Sequence, residues 1–498
     1  MIDKDLYKST IKSNSLFGGI KIFQILVMLL RTKIVAIILG PAGMGMQSLF
    51  ASTLDSIQQF TTFGIFQSSV RDISQSNNSQ IEEKNKIVRV VMTLVLLVGV
   101  FGFLMCFSFS RVLSNLVFGG KDQTIAFIII SVSLIFLALS NGYIAIFQGL
   151  RKLSELARGS LIGAIVSILI STPLYIIWGI QAIPYAIVIG YVAVFFVYRY
   201  YAKKVPLLKA IQFASYGDIL NKGIPIVKLG SVLMLSNGIM TLFTLALNTY
   251  INRRGGTFEV GYFSAALTCT YGNIIILTSI LSSDYYPRLA ASLGDQNILS
   301  KIINQQSELI ILIVAPIICL IIPFAYYVVV VLFSKEFTVI IPMIQLMAIS
   351  LIFKVIWHAL SFIILAYGDR KTYLIYDALI GNGLLFLLNI YGYQNFGLTG
   401  LSISYVLGSI IMVIILYSVI TLKYHIKLSN NFWKLFLFML IMCVISYVIS
   451  SFFERKLIMW IVDICILFLT TGMSVFILHK RINLLNTIKS FLWGSRKF

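Results

Sequence analysis

Charge is scarce in this chain. Asp, Glu, Lys and Arg together make up 11% of its 498 residues, where a soluble globular protein carries about 25%. A water-soluble globule of this size needs more polar surface than these residues supply. Soluble enzymes, nucleic-acid binders and secreted disulfide scaffolds are therefore excluded as leading readings. Acidic residues are the scarcer kind, 18 against 39 Lys and Arg. Histidine occurs three times, too rarely for a zinc or haem centre, and no metal is expected. The five cysteines, Cys106, Cys269, Cys319, Cys443 and Cys465, lie in apolar runs without metal-ligand spacing. They read as lipid- or core-facing thiols outside any disulfide framework. No Walker-type phosphate loop occurs, so ATP hydrolysis by this chain is not expected and no cofactor is implied. The first apolar run lacks a following small-residue cleavage site, so it reads as a spanning helix rather than a cleavable signal.

What the chain has is apolar length. Hydrophobic residues make up 59%, and the mean hydropathy is +0.94. A spanning helix needs about 20 mostly apolar residues. Charge clusters, Gly and Pro divide the chain into fourteen such segments: 13–40, 44–70, 87–110, 124–149, 157–178, 182–202, 223–250, 259–284, 302–333, 338–366, 372–392, 397–422, 432–453 and 457–479. The connections at Gly40–Gly45, Gly179–Ala182 and Tyr393–Gly397 read as tight turns at the membrane surface.

The net charge of +21 would suggest nucleic acid in a soluble protein. Here it follows topology. Of the 39 Lys and Arg, 27 fall on the side that holds both termini, 7 on the other side and 5 inside segments. Lys and Arg collect in cytoplasmic loops, so both termini are expected in the cytoplasm and no nucleic-acid partner is needed.

The chain also repeats itself. GPAGMGMQSLFASTLDSIQQFTTFGIFQSSVRD (40–72) aligns with GTFEVGYFSAALTCTYGNIIILTSILSSDYYPR (256–288), placing Gly45 on Gly261 and Ser48 on Ser264. After a small slip, LVFGGKD (116–122) resembles VLFSKEF (331–337), and GLRK (149–152) resembles GDRK (368–371). Equivalent stretches sit six segments apart, an even number, so both halves share one orientation. This predicts an all-α polytopic membrane protein with two parallel six-helix lobes around a central cavity. The lobes are residues 1–205 and 206–425. Residues 426–498 add a further pair of spanning helices and a basic tail.

Residues three and four apart share a helix face. Segment 2 aligns Ser48, Ser52, Asp55, Gln59, Thr62 and Ser69, and segment 8 repeats the stripe weakly with Ser264, Thr268 and Tyr271. Segment 10 carries Ser350, Lys354, His358 and Ser361, with Trp357 beside them. The Ser and Thr positions read first as interhelical glue. Charges differ, because one inside a span costs roughly 2.5–3.5 kcal/mol on insertion scales and normally faces a wet cavity or a partner. Lys33 is open to snorkelling. Lys21, Asp284 and Glu308 are open to a shallow position, and Arg31 to a simple pair with Asp55. Lys228, Lys354, Asp55 and Asp377 are harder to place at an interface and read as functional. Asp463 reads as structural. His358 alone would be a packed polar residue, but one turn from Lys354 it gains weight. The cationic set Lys21, Arg31, Lys228 and Lys354 suits an anionic head group such as a diphosphate.

LGPAGMGMQSL after the first segment resembles a known pattern, as do EVGYFSAAL and SDYYPRLAA around the eighth. So does LFSKEF with LIFKVIWHALSFIILAYGDRK in the ninth to eleventh. Together, over about residues 10–425, they resemble the bacterial O-antigen flippases. These are the Wzx-type lipid-linked oligosaccharide translocases of the multidrug/oligosaccharidyl-lipid/polysaccharide exporter superfamily. The resemblance implies alternating access between two six-helix lobes around a cationic cavity. It implies an undecaprenyl-diphosphate-linked glycan moved from the cytoplasmic to the periplasmic leaflet of the inner membrane. It further implies a transporter rather than an enzyme, surrounded by membrane lipid, with polysaccharide polymerase and chain-length regulator proteins as partners. Lys354 stands where the family pattern also carries Lys. Segments 13 and 14 depart from the twelve-span members and resemble the fourteen-span lipid II flippases.

On this reading Lys21, Arg31, Lys228 and Lys354 bind the diphosphate, while Gln59 and Trp357 meet sugars. Asp55, Asp377 and His358 are the candidates for ion or proton coupling. A lipid II-type flippase is one alternative. A cation-coupled drug exporter of the same superfamily is another, but it would carry acidic residues in segment 1, where this chain has Lys and Arg. A membrane glycosyltransferase or polymerase would need a catalytic cluster on a large loop, and the loops here are short.

Overall fold

The computed structural model describes residues 4–75, 81–205, 214–272, 285–286, 288–453 and 457–482. For 4–25, 221–222, 228–233 and a few single positions it describes the backbone alone. A chain in lipid must satisfy its backbone polar groups internally, and a helix does so within one segment. The described residues form helices and no strand. They are α1 (Lys4–Thr61), α2 (Ile65–Gln75), α3 (Ile81–Ser108), α4 (Ser110–Phe118), α5 (Thr124–Gly149), α6 (Leu153–Trp178) and α7 (Ile183–Ala202). Then come α8 (Ile224–Leu267), α9 (Gln296–Leu332), α10 (Ile341–Ala366), α11 (Asn382–Tyr424), α12 (Asn430–Phe452) and α13 (Leu457–Ile482). Among the described residues, nine helical stretches are long and apolar enough to cross a membrane. Three of these, Leu26–Thr61, Leu153–Ala202 and Arg370–Tyr424, each hold two of the expected segments. The protein is a multi-pass membrane protein, and each of the fourteen segments contributes helix; residues 273–284 of the eighth lie outside the described residues.

The double stretches bend at glycine, and the bends repeat. Gly40 (φ 64°, ψ −167°) and Gly256 (φ 78°, ψ −179°) break α1 and α8 in the same way, 216 residues apart. Gly179 (φ 56°, ψ −136°) ends α6 as Gly397 (φ 57°, ψ −140°) breaks α11. Positive φ with extended ψ is essentially restricted to glycine. The repeat seen in the sequence therefore extends to the backbone.

The chain divides into two compact units, residues 1–261 with 332–334 and residues 262–331 with 335–498. In the first, α3 packs on α5, and α7 packs on α5 and α6. Val88, Val91, Tyr143, Phe147, Phe195 and Tyr198 are buried at its centre. Just past the two equivalent breaks, the chain crosses itself at Gly45 and Gly261. A Cβ at Gly45 would fall 1.8 Å from the Thr257 carbonyl oxygen, and one at Gly261 would fall 1.9 Å from that of Pro41. Small residues permit such close approach of helices in a membrane.

In the second unit, α10 packs against α11 and α12. It is buried on nearly every face, as expected of a helix apolar all round. The terminal pair is tied by Asp463 of α13, whose carboxylate accepts from Ser446 Oγ (2.7 Å) and Ser450 Oγ (2.9 Å) of α12. That is the structural role expected for Asp463. All five cysteines are free thiols; Cys319 and Cys443 Sγ lie 3.7 Å apart, and Cys465 is exposed.

Candidate functional site

The composition of α10 makes its one lysine conspicuous. Lys354 is half-buried, and its Nζ lies 3.2 Å from the centroid of the Trp357 ring. A desolvated cation–π contact is worth about 2 kcal/mol or more. The indole Nε1–H of Trp357 donates to Asp377 Oδ1 at 2.6 Å. Ser361 Oγ donates to the same oxygen at 2.5 Å. Three of these side chains stand on one stripe of α10, at the spacing of a helix face.

Asp377 reaches them from a π-helical stretch, Tyr373–Gly381, which leads into α11. An extra residue per turn rotates the following side chains, and such stretches recur at functional sites. Gly381, at the end of that stretch, leaves room for the indole. A Cβ there would fall 2.8 Å from Trp357 Cζ2. His358 is half-buried and within electrostatic reach of both Lys354 and Asp377. Among the described residues, no ion pair joins Lys354 to Asp377 directly. The indole intervenes, so the ammonium keeps capacity for a second anionic partner. One turn along α10, Ser350 Oγ lies 2.7 Å from the hydroxyl of Tyr271, whose ring packs against Tyr405.

In the first unit, Arg31 and Asp55 occupy another polar region. Arg31 is half-buried and lies beside the hydroxyl of Tyr175, with its Nε buried and unbonded. Tyr191 is within electrostatic reach of both Arg31 and Asp55. Asp55 is exposed, and among the described residues no ion pair joins it to Arg31. The simple Arg31–Asp55 pair is thus replaced by two charges with tyrosines near them. Gln59 lines a cavity of about 170 Å³ with Gln58, Thr62, Ser69 and Asn141. Lys21 and Lys228 lie in α1 and α8, but their side chains are outside the described residues, as is Asp284. Glu308 is buried in α9.

The structure thus brings together Lys354, Trp357, His358 and Asp377. Sequence reasoning missed the Ser361 bond to Asp377 and the space at Gly381. Ser361 did lie on the polar stripe; Gly381 carried no signal, because its role is to be small opposite a residue on another helix. Among the described residues, no group of three or more His, Cys, Asp or Glu is placed to hold a metal ion.

Comparison with solved structures places the fold. The chain is similar to the lipid II flippase MurJ in an inward closed conformation, with TM-score 0.71 and 18% identity, over 94% of this chain and 99% of that one. It is similar to an inward-facing multidrug resistance MATE family transporter of the MOP superfamily, with TM-score 0.65 and 18% identity, over 79% and 92% of the two chains. A MOP superfamily transporter from Pyrococcus furiosus, described as having a binding pocket of reverse polarity, gives TM-score 0.58 and 16% identity, over 82% and 94%. No curated protein matches the chain by sequence. Residues 34–342 match the family model described as polysaccharide biosynthesis protein. That match spans more than half of the chain, which has the MOP superfamily fold and belongs to the polysaccharide biosynthesis protein family.

Proposed function

We propose that this protein flips an undecaprenyl-diphosphate-linked oligosaccharide, an O-antigen or related repeat unit, from the cytoplasmic to the periplasmic leaflet of the bacterial inner membrane. The observation that carries this reading is the Lys354 ammonium on the Trp357 face, with Asp377 held at the indole edge. A lysine so placed in an apolar helix is stabilised without being neutralised. It can dock a diphosphate, and the indole face offers a surface for a sugar when the ammonium turns to the phosphate.

In this account Lys21, Arg31 and Lys228 complete the cationic set. Gln59 meets the glycan, and the isoprenoid tail stays in lipid. The lobes 1–205 and 206–425 rock about the carried head group, while the pair in 426–498 lies outside the repeat. Both termini face the cytoplasm. Asp55, Asp377 and His358 are the groups able to carry a coupled ion or proton. The membrane potential also acts outward on an anion, at about 2.3 kcal/mol per charge per 100 mV. The chain acts as a carrier and not an enzyme, with polymerase and chain-length regulator proteins as downstream partners.

Family membership supports a role in polysaccharide synthesis. Likeness to a lipid II flippase and to drug exporters supports a carrier fold without choosing the cargo. The test is transport by purified wild-type protein in liposomes. Fluorescent undecaprenyl-diphosphate glycan should change leaflet and ethidium should not move. The opposite pattern would establish the drug-exporter alternative.

A further inference from the structure

We propose that the cavity beside the turn between α1 and α2 is a subsite for uncharged sugar residues of the carried glycan. The proposal rests on the flippase reading above and adds to it the place and chemistry of the glycan contact. The cavity lies within the first unit, between α1, α2, α3 and α5. Its volume of about 170 Å³ is well above the roughly 10–15 Å³ that one ordered water needs.

The lining has the chemistry for neutral polyols. Gln58, Gln59 and Asn141 supply amides, Thr62 and Ser69 supply hydroxyls, and no lining residue is ionisable. An amide both donates and accepts, as a sugar hydroxyl does. Phe66, Val95 and Val98 give apolar wall for the sugar's C–H faces. A carboxylate-bearing sugar would find no compensating charge here, and burying an unpaired charge is costly.

Two further observations point to a ligand. Ser69 is fully buried, yet its Oγ bonds to nothing. Buried polar atoms are normally satisfied, so such an orphan at a cavity wall marks a missing partner. Among the described residues, the side-chain amides of Gln58, Gln59 and Asn141 likewise bond to no protein group. The wall itself is also irregular. α1 stops at Thr61, and the chain turns through Phe63 (φ 47°) and Gly64 (φ 62°) before α2. Left-handed backbone at a non-glycine residue is strained. Irregular backbone at membrane depth is tolerated where it is buried in protein or lines a wet cavity. On the topology above, the lining lies within about 20 Å of the cytoplasmic ends at Arg71, Arg89 and Arg151, at 1.5 Å per helical residue.

The experiment uses the full chain in liposomes with two probes, undecaprenyl diphosphate carrying one N-acetylglucosamine and the same lipid carrying a neutral trisaccharide. Asn141→Leu is expected to lower the trisaccharide-to-monosaccharide rate ratio about tenfold, and the one-atom change Ser69→Ala to lower it about two- to fivefold. Ratios equal to wild type in both variants, whether from unchanged rates or from equal loss on both probes, would overturn the subsite and leave a water-filled void. If wild type moves neither probe, the flippase reading itself fails, and the subsite fails with it.

Discussion

Trp357 separates Lys354 from Asp377. Its ring face lies 3.2 Å from the ammonium, and its N–H donates to the carboxylate at 2.6 Å. A direct salt bridge would satisfy both charges and leave the lysine inert toward a ligand. With the indole between them, the ammonium rests on the ring face while Asp377 Oδ1 accepts from both Trp357 and Ser361.

This arrangement separates two substitutions. Trp357→Phe keeps a π face but loses the N–H, while Ser361 still donates to Asp377. It is expected to cost about 1–2 kcal/mol of stability, the value of one charge-assisted hydrogen bond, with diphosphate-lipid binding within about threefold of wild type. Trp357→Leu removes the face as well. Losing the cation–π contact is expected to cost about 2 kcal/mol of stability, and losing the indole surface offered to the sugar is expected to weaken glycan-lipid binding. Thermal unfolding and lipid titration of the purified variants check both.

The crossing at Gly45 and Gly261 predicts a steric effect without any change of charge. A Cβ at either position meets a backbone carbonyl at under 2 Å. Overpacking costs typically 1–3 kcal/mol where neighbours can yield, and backbone yields less than side chains. Gly45→Val and Gly261→Val should each lose about 3 kcal/mol or more. A monodisperse protein with wild-type thermal midpoint would show that the crossing is not held.

Asp369 predicts a pH signature outside the spans. Its carboxylate accepts from Lys423 Nζ at 2.5 Å, from Tyr424 Oη and from the backbone N–H of Thr372. The Lys423 ammonium and these donors hold the carboxyl well below the usual carboxylate range. A depressed folded value contributes stability above the ordinary pKa of about 4, and that contribution is lost as pH falls through the folded value. Asp369→Asn should therefore lower the thermal midpoint equally at pH 6 and pH 8, with the gap to wild type closing in acid. Lys423 is half exposed, so the ion pair adds at most about 1 kcal/mol. A gap that differs between pH 6 and pH 8 would contradict the assignment.

The terminal pair tests polar satisfaction. Ser446→Ala leaves one oxygen of buried Asp463 without its donor and should cost about 1–3 kcal/mol. Removing the whole set in the triple variant Asp463→Leu, Ser446→Ala, Ser450→Ala should cost less than that single change, because no orphan remains. Denaturant or thermal unfolding of the two variants orders them.

Much of the fold was legible because lipid imposes simple rules. Apolar length gave the segments, and Gly40, Gly179 and Gly397 lay within the three turns expected from composition. The repeat placed Gly45 on Gly261, and the structure shows the two in backbone contact. Less visible was the register inside helices. The π-helical stretches Thr268–Gly272 and Tyr373–Gly381 carry no distinctive residue, since one extra residue per turn changes no hydropathy. That hidden rotation delivers Asp377 to Trp357. Lys354, Trp357 and His358 were legible as a group because they share one helix. For Arg31 a simple pair with Asp55 stayed open, because two opposite charges at suitable depth look alike in sequence whether or not tyrosines stand near them.

The most direct test of the account is the rate at which fluorescent undecaprenyl-diphosphate oligosaccharide changes leaflet in liposomes holding wild type, Lys354→Ala or Lys354→Arg at equal amounts. The account predicts a loss of tenfold or more in Lys354→Ala, consistent with about 1.4 kcal/mol per decade, and partial retention in Lys354→Arg, which keeps the charge but not the ammonium geometry on the indole. A wild-type rate in folded Lys354→Ala would contradict the cationic anchor at the centre of the mechanism.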